Sequence, residues 1–201
     1  MPSPPAIPFA SQPNPRKKQR SAQARFYERR FLVGILMGLL GLTTLLAAWV
    51  TYGLSLNFSL TWFLIGAGGL QGLSALWRDA ARLRPNQTVL HLGMGMIYLC
   101  GGLVLTLMPS LKVPWVLAST LLANRGVQAA AAIQMRPAVG WVLTAINSGV
   151  GALLALLIVL PWGSDSPLIV SCLVGLSLVA EGIAIAFIAT VKNLSDFSFP
   201  S

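Results

Sequence analysis

The sequence predicts an all-α, polytopic membrane protein, and three observations carry that prediction. Charged residues make up 9% of the 201, against about a quarter in soluble domains, while hydrophobic residues make up 55% and mean hydropathy is +0.73. Three runs contain no charge at all: 47 residues between Arg30 and Arg78, 27 between Arg84 and Lys112, and 28 between Arg136 and Asp165. An apolar bilayer core of ~30 Å is crossed by about 20 helical residues, so each run is long enough to span it and the longest holds two spans. Finally, Lys and Arg are distributed with the asymmetry of a membrane protein whose inner loops are basic.

The chain opens with "MPSPPAIPFASQPNP", which holds six of the thirteen prolines and has no helical period. Residues 1–24 are therefore expected to form a disordered, basic cytoplasmic tail, followed by a transmembrane domain over 25–192 and a short tail over 193–201. Arg16, Lys17, Lys18, Arg20, Arg25, Arg29 and Arg30 precede the first apolar run and suit contact with anionic lipid or a protein partner. They do not suit nucleic acid, because no aromatic-basic platform accompanies them. The apolar run from Phe31 begins too late and runs too long for a cleaved signal core, and reads as an uncleaved first span.

Turn and breaker signals place six spans near 31–51, 59–77, 88–108, 113–135, 138–160 and 167–190. The breaks are "YGLSLNF", "RDAARLRPNQ", "PSLKVP", "QMRPA" and "PWGSDSP". With the N-terminus inside, inner segments hold twelve Lys and Arg: the seven above with Arg78, Arg82, Arg84, Arg136 and Lys192. The outer loops hold only Lys112. Both termini are thus expected at the cytoplasmic face of a bacterial inner or internal membrane.

The spans also read as three repeated hairpins. In the odd spans, "GILMGLLG" places Gly34 and Gly41 seven apart, and "GMIYLCGG" places Gly95 and Gly102 seven apart. In the fifth, the glycines shift to Gly149 and Gly151. Each even span carries a polar residue directly before a glycine: Gln71-Gly72, Arg125-Gly126 and Glu181-Gly182, at separations of 54 and 56 residues. Glycines at helical spacing let helix backbones approach closely in lipid, so Gly34, Gly41, Gly72, Gly95, Gly102, Gly126 and Gly182 are expected at helix contacts.

On these features, six spans in three degenerate hairpins with spaced glycines, the chain from about residue 30 to 190 resembles the HdeD family of bacterial membrane proteins. The resemblance implies a non-enzymatic multipass inner-membrane protein with a stress-related or accessory role; the enterobacterial namesake of the family is linked to acid stress. Two other functions fit the residues: an accessory or assembly subunit of a larger membrane complex, and a small transporter or channel.

The second of these would use the only two charges deep in the spans, Arg125 and Glu181. Each costs about 2.5–3.5 kcal/mol at mid-bilayer on insertion scales and so requires a partner. Opposite in sign and equivalent in position, they are expected to face each other, with Gln71 completing the cluster. Asn124 and Gln128 share a face of the fourth span, Arg125 and Gln128 are three apart, and Asn147 lies on the fifth. Such a cluster serves either as a structural staple or as a site for a proton, ion or small ligand.

His91, the single histidine, stands near the inner end of the third span, where it could sense pH or ligate a haem or chlorophyll beside Gly93 and Gly95; an interfacial polar role is the simpler expectation. No cofactor is otherwise expected. Cys100 and Cys172 lie in apolar runs and read as packing residues, with no metal cluster. The five acidic residues are dispersed, and neither a phosphate-cradling loop nor a nucleophile with a His-acid relay is present, so no catalytic residue is expected.

Overall fold

The computed structural model describes residues 15–50, 56–79, 85–108, 112–137, 140–160 and 166–198. These form six helices: α1 Pro15–Val50, α2 Leu56–Asp79, α3 Pro85–Leu107, α4 Val113–Gln134, α5 Trp141–Val159 and α6 Pro167–Ser198. Among the described residues there is no strand. Proline sets several of the starts: α1, α3 and α6 begin on one and α4 has one in its first two positions, where the missing N–H has no helical partner to lose. The α5 start is different. Gly140 precedes it at φ 94°, a left-handed conformation that glycine reaches without a steric penalty.

α1, α3, α4, α5 and α6 are long and apolar enough to cross a membrane; the apolar stretch of α2 is shorter, Leu60–Leu76. This is the architecture of a helical integral membrane protein. Two helices overrun the expected spans. α1 starts at Pro15, drawing residues 15–24 out of the expected tail and into the helix, and α6 continues to Ser198 through residues expected to lie beyond it. At 36 residues α1 is roughly 54 Å long, well beyond the bilayer core, which leaves its basic N-terminal turns outside the apolar layer.

The helices close into a ring. Its heaviest contacts are α1 on α6, α2 on α3 and α4 on α5, whereas the sequence-adjacent hairpin partners α1–α2, α3–α4 and α5–α6 pack more lightly. Glycine explains two of the heavy seams. A methyl group at Gly34 would stand 2.8 Å from Gly182 O, and one at Gly41 2.7 Å from Gly175 O, so α1 and α6 touch backbone to backbone. Likewise Gly95 would meet Gly72 N at 2.8 Å and Gly102 would meet Ile65 Cγ1 at 2.7 Å across the α2–α3 seam. Close approach of this kind drives helix association in lipid, where apolar burial no longer does. Gly126 does not fit the expectation of a packing role: a side chain there would meet open space.

Several threonine hydroxyls within the spans are satisfied on their own helices. Thr44 donates to Leu40 O, Thr106 to Gly102 O, Thr120 to Val116 O and Thr144 to Gly140 O. Both cysteines are free; Cys100 is exposed on the outside of the bundle rather than packed inside it, and Cys172 is half-buried.

Candidate functional site

Glu181 on α6 is the centre of a buried polar network. Its carboxylate receives four donors from three other helices. Gln71 on α2 and Gln128 on α4 both donate to Oε1, the latter at 2.6 Å. Oε2 accepts from the Tyr98 hydroxyl on α3 at 2.9 Å and pairs with the Arg125 guanidinium on α4 at 3.2 Å. Arg125 and Glu181 are each 1% exposed. At that burial the desolvation of both ions costs several kcal/mol, which only mutual attraction and a full set of hydrogen bonds can offset.

The arginine is held on three sides. One guanidinium nitrogen donates to Gln128 Oε1 at 2.7 Å, and the other donates to Ser177 Oγ at 2.7 Å and Ser177 O at 3.1 Å. Its aliphatic and guanidinium atoms lie directly against Gly151 of α5, where a methyl group would stand 2.6 Å from Arg125 Cδ and Cζ. Gly151 is therefore the notch that admits the side chain. Three positions earlier on the same face of α5, Ser148 donates to the backbone oxygen of Arg125 at 2.7 Å, which closes the α4–α5 seam at the level of the charge.

Of the residues singled out from sequence, Gln71, Arg125, Gln128 and Glu181 come together directly, and Asn147 reaches Gln128 Oε1 through a long 3.4 Å bond. Asn124 is fully buried on α4 beside Tyr98, but neither of its amide atoms makes a hydrogen bond. Tyr98, Ser148, Ser177 and Gly151 complete the site, and none was singled out for it. For Tyr98 a signal existed: it stands three residues after Gly95, as Met37 stands three after Gly34, and both are wholly buried. Between two glycines that seat a helix on its neighbour, that position faces the bundle interior.

A partly open cavity of about 60 Å³ leads to this network. Gln71, Ser74, Gln128, Asn147 and Glu181 line it, as do Arg30 and His91. Val33, Met94, Ala131 and Ile185 supply apolar wall. Its lining comes from the beginnings of the apolar stretches of α1, α3 and α5 and from the late turns of α2, α4 and α6, so it belongs to one end of the bundle. A water needs about 10–15 Å³ by this measure, so the space suits a few waters or one molecule of a few heavy atoms. His91 is half-buried at this site.

Of the expected lipid-facing cations, Arg25 and Arg29 are exposed and Arg30 is half-buried in the cavity wall. Arg16, Lys17, Lys18 and Arg20 lie on the first turns of α1, and their side chains fall outside the described residues. Among the described residues no three His, Cys, Asp or Glu side chains gather as metal ligands. Comparisons with protein-family models, with curated proteins and with solved structures found no match to this chain.

Proposed function

We propose that this is a non-enzymatic integral membrane protein of HdeD type that holds a small-solute site reached from the cytoplasm. Six spans form three repeated hairpins with both termini inside, and α2 crosses through the short stretch Leu60–Leu76, about the minimum length for a span. The ring's alternation of heavy and light seams supports the repeat, as does the convergence of Gln71, Arg125 and Glu181 from equivalent points of the even helices. The cavity lies at the end where the odd helices enter the apolar layer, next to the Lys- and Arg-rich segments, which the positive-inside rule assigns to the cytoplasm. A stress-related or accessory role is what the family resemblance adds.

One observation carries the reading: Glu181 lines the cavity, so a space with room for a few waters adjoins the buried pair. A structural staple alone needs no such access. Beyond the network the bundle is filled by Leu60, Leu117, Leu121, Ile158, Val174 and Leu178, so the site is blind toward the outside. In a background with Cys100 and Cys172 replaced, Ser74→Cys is expected to react with a membrane-impermeant thiosulfonate added to the cytoplasmic side of vesicles. Leu121→Cys is expected to stay unmodified from either side. A Ser74→Cys protein that remains unlabelled from the cytoplasmic face would overturn the proposal.

A further inference from the structure

Building on that reading, we infer that the cavity selects a small uncharged solute carrying both a hydrogen-bond donor and an acceptor, of the primary-amide or urea class, over ions of the same size. The argument begins with what the carboxylate has left to offer. Four donors already occupy Glu181, two on each oxygen, and one of them is a guanidinium. A carboxylate has about four lone-pair sites, so a cation entering the cavity finds its only buried counter-charge both neutralised and saturated.

An anion meets the opposite obstacle. It would have to leave water for a space walled by the Glu181 carboxylate, already paired with Arg125, and by the Gln71 side chain with its unpartnered amide oxygen, acceptors where an anion needs donors. That amide oxygen is the positive feature of the site. Gln71 is 4% exposed, lines the cavity and has Oε1 buried with no hydrogen-bond partner. Its orientation is imposed: only the NH₂ side of an amide can face a carboxylate, and Gln71 donates to Glu181. The carbonyl side is left seeking a donor. A buried acceptor without a partner costs about 1–3 kcal/mol, which a bound donor recovers.

Asn147 supplies the complementary group. Asn147 lines the cavity, and its amide nitrogen is engaged only by the long bond to Gln128, so it has a donor to offer a solute's carbonyl. A planar amide donates through its NH₂ to Gln71 and accepts through its oxygen from Asn147, while Val33, Met94 and Ala184 cover its apolar part. With no net charge to desolvate, it satisfies the site without disturbing the Arg125–Glu181 pair.

Acetamide, acetate and methylammonium separate these cases, being close in size and different in charge. With the full-length protein in detergent, saturation-transfer NMR is expected to detect acetamide binding and to find acetate and methylammonium at least about fivefold weaker, the equivalent of one hydrogen bond. Gln71→Leu and Asn147→Leu should each weaken acetamide by a similar factor. Asn147 is half-buried and weakly bonded, so its variant remains informative if Gln71→Leu does not fold. Equal or tighter binding of either ion, or undiminished acetamide binding in Asn147→Leu, would overturn the inference. If Ser74→Cys is labelled from the cytoplasm but acetamide fails to bind, the ligand class falls while the cytoplasmic site stands. An unlabelled Ser74→Cys removes both.

Discussion

Where the odd-numbered helices begin their apolar stretches, the interior of the bundle is polar and hollow; where they finish, it is aliphatic and closed. At the first end, amides from α2, α4 and α5 surround the cavity. At the second, Leu60 and Leu64 from α2, Leu117 and Leu121 from α4, Ile158 from α5 and Val170, Val174 and Leu178 from α6 pack against one another, all nearly inaccessible. Arg125 and Glu181 stand where the two regimes meet. The contrast teaches why the pair is tolerated: amide and hydroxyl groups replace the lost hydration on one side, while close packing on the other keeps the ions at a fixed separation.

The largest effect should come from the boundary itself. Glu181→Gln leaves Arg125 buried without its counter-charge and should cost about 3–5 kcal/mol, clearly more than Gln71→Leu, which removes one of four donors. Thermal unfolding of the two variants in the same detergent makes the comparison, and a Glu181→Gln protein as stable as the parent would end the claim that the pair holds the bundle. Next comes the closed end. Leu121→Ala, at a fully buried position, should cost about 2–4 kcal/mol through the void it leaves, measurable by the same unfolding assay.

Tyr98→Phe sharpens the contrast on a smaller scale. Loss of one charge-assisted hydrogen bond to Glu181 Oε2, with little change of shape, should cost about 1–2 kcal/mol by thermal unfolding. Gly126→Ala should have the smallest effect and the opposite sign. Its added methyl meets nothing and the helix gains propensity, so stability should hold or rise by up to about 1 kcal/mol. A marked loss in Gly126→Ala would mean that the α4 surface is covered in the membrane by something outside this chain.

Much of this contrast was legible in the sequence. Uncharged length and the proline and loop signals define the helices, because a membrane interior leaves few alternatives to a helix between breaks. The Arg125–Glu181 pairing was legible because so few charges lie in the spans that each needed the other. The partner helices were not. Hairpin order favours α1–α2, α3–α4 and α5–α6, yet the tightest seams join α6 to α1, α2 to α3 and α4 to α5. Gly34 meets Gly182 across 148 residues, and which glycine seats against which is decided by ring closure, not by spacing along the chain. The serines were hidden for a related reason. Ser148 and Ser177 resemble any other span serine until the helix opposite places an arginine within reach.

The Gly151 notch and the Glu181 carboxylate also impose a schedule on the making of the protein. Arg125 leaves the ribosome 56 residues before Glu181, so at ordinary elongation speeds the fourth helix waits roughly 3–11 s for its counter-charge. Over that interval Gln128, on the same helix, and the earlier Gln71 and Tyr98 are the polar groups already available to it, and the recess in α5 arrives only midway. α6 is therefore the latch of the assembly: until it is in place, Arg125 has no counter-charge in the bilayer.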